Sequence, residues 1–338
     1  MTSLYPLRFR PIFRQYIWGG RRLETLLGKR LGEGEHYAES WEVVDHGADQ
    51  SVVSAGPLAG RSLHELIERY GMELLGRGGE RRDRFPLLLK FLDAQRDLSV
   101  QVHPDDTQAA RLDPPDYGKT EAWYVIHADP GSRIYAGLKA GVDRSTFERA
   151  IADGRVVECL HVVEPKPGDC LFVPARTVHA LGAGVLVAEL QQSSDTTYRI
   201  YDWDRLGADG RPRELHIAQA LEVIDFERGP IEPVTMPAGA GDQVLVRCPA
   251  FTWRCRRLGR RSASFQWQSS TSFHLLTVID GSVRVSGDPT GEPLGRGQTM
   301  LIPAACPVRV ELVCERAVVL DGYVDPDPTP IGGPDSGD

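Results

Sequence analysis

Several things are scarce in this 338-residue chain, and each shortage closes off a class of function. No run approaches the roughly 18 apolar residues of a membrane span. The N-terminal stretch MTSLYPLRFRPIFRQYIWGG has neither an apolar h-region nor a small-residue cleavage site, so it does not read as a secretory signal. Basic charge is in deficit: 39 Lys and Arg stand against 47 Asp and Glu, for a net charge of -8. That balance argues against nucleic acid as a partner, which would call for a basic face. The six cysteines (Cys159, Cys170, Cys248, Cys255, Cys306 and Cys314) form no C-x-x-C pair and no tight framework. They read as reduced and mostly buried thiols, which suits a cytoplasmic setting. The chain has no G-x-G-x-x-G after a strand, no P-loop and no G-x-S-x-G, so nucleotide-dependent and serine-hydrolase chemistry have little support. Its HELIE stretch, which contains His64, is not the H-E-x-x-H of a zinc protease, and His64 reads as a helix-surface residue.

What is present is an ordinary globular composition, 41% hydrophobic and 25% charged, in a chain long enough for two domains. Glycine and proline punctuate it into short β-like runs such as LRFRP, QYIWGG and YAESWEVV, in which Trp18 and Trp41 read as core or cleft wall. One helix is well marked: Ser62 can cap it, Glu65 stands in capping-box position, and Leu63, Leu66, Ile67 and Tyr70 repeat at helical spacing. Shorter helices are expected over 143–154 and 214–226. Two later segments resemble each other, each with G-x-x-x-x-x-P-A, at Gly168–Ala175 and Gly297–Ala304. Each motif follows a strand-like piece with a glycine turn. Many short strands, regular turns and this repeat predict a mainly β protein of two related β-barrels or jelly rolls.

The chemistry centres on Ser99-Val100-Gln101-Val102-His103. On a strand, Ser99, Gln101 and His103 share one face while Val100 and Val102 pack on the other. Pro104 ends the strand, and Asp105 and Asp106 suit a helix start. Five residues after the proline of the first G-x5-P stands His179; at that place in the second copy stands Val308. Glu121 opens another strand just past a GKT turn. Gln101, His103, Glu121 and His179 therefore come from three strands of one domain and can converge. Two neutral imidazoles, a carboxylate and an amide oxygen suit zinc or another first-row divalent ion, with open positions for water or substrate. Each residue alone has an ordinary alternative, a buried hydrogen-bonding histidine or a strand-surface glutamine.

The motifs LKFLDAQRDLSVQVHPDD, GKTEAWYVI and GDCLFVPARTVHALGAGVLVAELQQSSDTTYRIYDWDR, with QYIWGG and YAESWEV, cover most of residues 1–225. In them the chain resembles the type I mannose-6-phosphate isomerases (phosphomannose isomerases), in their short bacterial form within the cupin superfamily. The resemblance implies two cupin jelly-roll β-barrels: a catalytic domain with helical segments over 1–226 and a smaller degenerate one over 242–325. A 227–241 linker joins them, and a disordered tail follows over 326–338. It implies one zinc ion per chain, held by Gln101, His103, Glu121 and His179. It makes Arg199 the catalytic arginine of the cleft and puts Lys119 and Asp195 at positions for proton transfer or substrate contact. Lys119 and Glu121 stand as rival bases. Ser99 and Lys90 are candidate contacts to substrate phosphate. The implied reaction interconverts mannose 6-phosphate and fructose 6-phosphate through an enediol. Alternatives are a metal-bearing cupin acting on another phosphosugar, an oxygen-using cupin with iron at the same ligands, and a sugar-binding regulatory cupin without turnover. A phosphorylated hexose is the expected partner, with no nucleic acid or membrane, in a monomer or weak homodimer.

Overall fold

The structure, a computed structural model, describes residues 3–77, 83–207, 210–236, 241–268 and 271–327. It is mainly β, as the punctuated sequence predicts, and it divides into two compact units that interleave along the chain. One comprises Pro11–His46 and Leu87–Thr235; the other comprises Met1–Arg10, Gly47–Pro86 and Met236–Asp338. The expected linear division at 226 and 242 differs from this partition, and backbone hydrogen bonds supply the reason. Leu7 N–H donates to the Leu301 carbonyl at 2.8 Å, and Ala304 N–H donates to the Leu74 carbonyl at 3.0 Å. The well-marked helix is Leu63–Tyr70, with both halves of the Ser62–Glu65 capping box in place. It therefore belongs with the C-terminal strands rather than with the first 226 residues.

The first unit contains a seven-stranded and a five-stranded antiparallel sheet. The larger runs in the order Ile12–Gly20, Tyr37–Val43, Leu87–Ala94, Val185–Gln192, Glu121–Ala128, Asp169–Val173, Val234–Thr235. The smaller runs Tyr198–Tyr201, Val100–Val102, His179–Leu181, Ile134–Leu138, Leu160–Val163. Among the described residues the ladders do not join the two sheets into a closed barrel, because each sheet keeps its own edge strands. Part of the expected linker serves as such an edge: Val234 and Thr235 pair with Cys170 and Asp169. Residues 237–240 of that linker, and the expected tail beyond 327, lie outside the described residues.

Alternation along the strands decides where the site sits. Val100 and Val102 pack with Phe147, Ala150, Ala220 and Val223, so helices Arg144–Ala152 and Ile217–Val223 cover the outer face of the smaller sheet. Leu92, Trp123, Val125, Val187, Ile134 and Leu181 fill the space between the two sheets. Ser99, Gln101 and His103, out of phase with Val100 and Val102, are thereby turned toward that interior. The second helix starts later than the expected residue 214. The backbone of His216 is already committed, its N–H donating to the Arg199 carbonyl at 2.7 Å.

The second unit repeats the plan with a five-stranded and a four-stranded sheet. Leu276, Val278, Val283, Met300, Ile302, Val308 and Val319 form its core. Gly168 and Gly297, the first residues of the two G-x5-P motifs, both adopt positive φ (97° and 73°), a turn conformation that glycine takes without a steric cost. Each then enters a short buried strand. The six cysteines are free thiols, five of them buried and Cys314 exposed. Among the described residues no helix is long and apolar enough to cross a membrane.

Candidate metal and sugar-phosphate site

At one end of the space between the sheets the apolar filling gives way to charged and polar side chains. Strand Glu121–Ala128 brings in Glu121, strand His179–Leu181 brings in His179, and His103 follows strand Val100–Val102. Gln101 lies directly opposite His179 in the ladder. Pro104 does end the Val100–Val102 strand, and Asp105 caps helix Asp106–Ala109 in a second capping box with Gln108. The histidine is fixed between these two features.

His103, Glu121 and His179 are each only 1% exposed, and their ligand atoms lie within 4.8 Å of one another. His103 Nε2 is 3.5 Å from Glu121 Oε2, and His179 Nε2 is 3.2 Å from Glu121 Oε1. The Gln101 amide is 3.4 Å and 3.3 Å from the same two imidazole nitrogens. Each imidazole is oriented by a backbone carbonyl on its far side, His103 Nδ1 by Thr196 and His179 Nδ1 by Thr177, both at 2.9 Å. Those hydrogen bonds place the ring protons on Nδ1 and aim the Nε2 lone pairs inward.

This group fits a metal ion on three counts. Burial, reinforced by Lys119 and the neighbouring imidazole, holds His103 well below its usual pKa, and burial brings His179 down to about 4. Both rings are thus neutral ligands at physiological pH. Burial also pushes Glu121 above the ordinary carboxylate range despite Lys119 and Lys90, and its Oε2 is buried without a hydrogen bond. That oxygen accepts no hydrogen bond and is open to a further cation beside Lys119. Ion–ligand distances of about 2.0–2.2 Å put the ligands of a tetrahedral ion roughly 3.3–3.6 Å apart, close to the spacings found here.

Lys119 reaches the same point: its Nζ is 3.2 Å from His103 Nε2 and 3.5 Å from Glu121 Oε2. Gln101, Lys119, Glu121 and His179 line a cavity of about 330 Å³, at the small end of the ~300–1,000 Å³ typical of ligand sites. Ser99, Lys90, Asp195 and Arg199 line it too, so every candidate named from sequence borders one space except His103, which meets the lining residues Gln101 and Glu121 through its Nε2.

The candidates differ in how they are held. Ser99 Oγ lies 3.3 Å from Gln101 Oε1. Lys90 is buried between Glu189 (3.4 Å) and Glu39 (3.8 Å). Burial opposes its charge, but the facing carboxylates outweigh that cost and hold its pKa above the usual lysine range. Its ammonium is thereby already engaged by protein acids. Arg199 lies on strand Tyr198–Tyr201, so Asp195 four residues earlier does not face it as it would on a helix. The guanidinium instead donates Nη1 to the Glu214 carbonyl at 2.8 Å, while Asp195 is exposed at the cavity edge.

Sequence reasoning missed Glu39, Glu189, Trp123 and Arg213, which also line the cavity. Trp123 Nε1 donates to Glu189 Oε2 at 3.1 Å. The signal for Glu189 was legible: VLVAELQQ is a wholly buried strand, and a carboxylate in such a run requires a cation. Nothing comparable marked Arg213, which stands in an ordinary polar loop sequence.

A family model described as phosphomannose isomerase type I, catalytic domain, matches residues 7–133. Mannose-6-phosphate isomerase ManA of Bacillus subtilis is 38% identical over 305 residues, covering 88% of this chain and 93% of that protein. The mannose-6-phosphate isomerase of Streptococcus mutans is 36% identical over 303 residues, covering 88% and 92%. The crystal structure of the Bacillus subtilis enzyme superposes with a TM-score of 0.83 at 33% identity, over 94% of this chain and 99% of that one. A mutant phosphomannose isomerase from Salmonella typhimurium, 17% identical, shares the fold with a TM-score of 0.73 over 95% of this chain and all of its own. With a relative this similar along nearly its whole length, the chain belongs to the type I mannose-6-phosphate isomerases, a family of isomerase enzymes.

Proposed function

We infer that the protein is a zinc-dependent isomerase interconverting mannose 6-phosphate and fructose 6-phosphate through an enediol. The observation that carries this reading is the buried convergence of His103, Glu121 and His179 on one point, with Lys119 beside it and an orphaned Glu121 oxygen facing it. The donor set of two imidazoles and a carboxylate favours zinc. Gln101 completes the set: turning its amide over presents Oε1 to the ion and leaves Nε2 to donate to Ser99 Oγ. The bound ion supplies a positive charge where negative charge develops on a sugar oxygen.

Aldose–ketose isomerisation moves a proton between C1 and C2 and another between the adjacent hydroxyls. Of the two rival bases, Glu121 is engaged by both imidazoles, which leaves the Lys119 amino group to take the carbon-bound proton. Asp195, exposed at the cavity edge, can accept and return a hydroxyl proton. Arg199 stays protonated and binds the anionic part of the substrate. Ser99 orients Gln101 from the same strand face. Lys90, locked between Glu39 and Glu189, supports the cavity floor through those acids rather than by direct phosphate contact. The paired sheets of each unit fit a jelly-roll reading, and the cytoplasmic setting rests on the free thiols. A monomer or weak homodimer remains the expected assembly.

The test is a coupled assay on mannose 6-phosphate before chelation, after it, and with zinc restored. Turnover should vanish with chelation and return with zinc. Unchanged activity after verified metal removal would defeat the metal requirement, and no turnover with metal restored would defeat the isomerase reading.

A further inference from the structure

The loop between strands Asp169–Val173 and His179–Leu181 holds a conformation that its sequence does not favour. Arg176 has a φ of 72°, and among the described residues only Trp203 and Asp204 share that positive φ without being glycine. An L side chain enters this region at a steric cost, so the surroundings must hold it there. In the second G-x5-P copy the matching residue is Ala305, which does not adopt positive φ. The costly turn belongs to the copy that carries the histidine.

The turn meets both imidazole ligands. Arg176 N–H donates to the His103 carbonyl at 2.7 Å, and the next carbonyl, that of Thr177, accepts from His179 Nδ1 at 2.9 Å. In the second unit Ala305 N–H donates to the Glu73 carbonyl instead, and valine stands in the place of His179. The contacts that hold the turn come from its far side. Arg176 Nε donates to the Val223 carbonyl at 3.0 Å, at the end of helix Ile217–Val223. Asp225 N–H donates to the Arg176 carbonyl, also at 3.0 Å. Arg176 Nη1 lies 3.9 Å from Asp105 Oδ2, on the helix cap two residues past His103. Arg228 Nη1 adds a bond to the Ala175 carbonyl at 3.1 Å.

We propose that Arg176 is a positioning residue: its left-handed turn, held by its own side chain against the helix end, fixes the two imidazole ligands relative to each other. This inference rests on the metal reading above. Arg176 does not line the cavity, and it moves no proton. Glycine would take the same turn freely, whereas alanine would keep the steric cost and lose the contact that offsets it.

The test measures zinc affinity, by competition with a chromogenic chelator, in wild type, Arg176→Ala and Arg176→Gly. Urea unfolding and imidazole nitrogen NMR of the metal-free proteins accompany it. Losing a group that orients a metal ligand should weaken zinc binding by about 10- to 100-fold in Arg176→Ala. Arg176→Gly should return to within about threefold of wild type. A merely structural turn would lower the urea midpoint of Arg176→Ala and leave its zinc affinity alone; that result would overturn the proposal, as would glycine binding no better than alanine. Should Arg176→Ala not fold, Arg176→Lys keeps the Cβ and the charge without the Nε donor. Zinc affinity below that of Arg176→Gly then supports the proposal, and affinity equal to or above it overturns it. Zinc binding requires no turnover, so a wild type that binds zinc and does not isomerise sinks the isomerase reading alone. Should wild type bind no zinc, the metal reading falls and the NMR decides the turn. Mixed His179 tautomers in Arg176→Ala, restored to Nδ1–H by glycine, uphold it, and unchanged tautomers overturn it.

Discussion

The two G-x5-P units place different side chains in one frame. In the first, Val173 pairs with Glu121, His179 with Gln101, and Glu189 with Lys90. In the second, the corresponding pairs are Ile302 with His274, Val308 with Trp267, and Asp321 with Arg254. The ladder registers thus set Glu121 against His274, Gln101 against Trp267, His179 against Val308 and Glu189 against Asp321. Where the first unit leaves room for an ion, the second fills the room. Trp267 stacks on His274 with ring centroids 4.3 Å apart, and the Arg256 guanidinium lies over Phe265 at 4.5 Å. His274 Nδ1 bonds Asp321 at 2.7 Å, so that histidine has a carboxylate partner of its own. Both units keep a buried acid facing a cation on that sheet face; only the first keeps imidazoles with open lone pairs. Paired-sheet geometry alone therefore makes no site: the side chains at a few strand positions separate a ligand group from a packed plug.

Writing the second unit's residue into the first gives the largest effect. His179→Val should abolish stoichiometric zinc and lower turnover by about a thousandfold or more, since it removes a ligand from a catalytic ion. Elemental analysis beside the coupled assay checks it, and a variant holding a full equivalent of zinc would refute the ligand assignment.

A paired experiment on the acids comes next. Glu189→Gln and Asp321→Asn leave Lys90 and Arg256 respectively short of a carboxylate and should each cost about 3 kcal/mol in urea unfolding. They should differ in function: Glu189→Gln lowers turnover because its acid lines the cavity, while Asp321→Asn leaves zinc content and kcat within about twofold. Equal losses of activity would end the distinction between the units.

The acid limb of stability separates them again. His179 takes a proton in the unfolded chain near 6.5 but in the folded metal-free protein only near 4. Between those values the unfolded state binds more protons, so stability must fall as pH drops from about 6.5 to about 4, by on the order of 3 kcal/mol. Unfolding of metal-free protein across that window should show the slope, and His179→Val should reduce it, leaving the part contributed by His103, which is also held well below its usual pKa.

The smallest effect belongs to a residue outside the site. Ser62→Ala removes half of a capping box and should cost about 1 kcal/mol of stability with zinc and kinetics untouched.

Much of the site was legible because its parts obey local rules. The period-two alternation of SVQVH fixed which way Gln101 and His103 face, Pro104 fixed where the strand stops, and the internal repeat singled out His179 against Val308. The capping box at Ser62 and the helix start at Asp105 were legible for the same reason, since cap and partner lie within three residues of each other. What escaped was long-range. Glu189 meets Lys90 only through strand pairing across about a hundred residues, and Glu39 comes from another strand again. Arg213 acquires its direction from Asp202, eleven positions away across a loop whose path no periodicity encodes. The interleaving of the units was hidden likewise, because Leu7 gives no sign in sequence that its partner is Leu301.

That interleaving also imposes an order on biosynthesis. A ribosome delivers the chain from its N-terminus, and every described strand of the unit that carries His103, Glu121 and His179 has been made once Thr235 emerges. The other unit cannot be completed then: Leu7 and the Leu63–Tyr70 helix wait for strands that begin at Asp242. The unit that carries His103, Glu121 and His179 is thus equipped to fold during translation, ahead of the unit that surrounds it in sequence. Until synthesis ends, the early apolar segments of residues 3–10 and 47–77 are the nascent chain's exposed, aggregation-sensitive part.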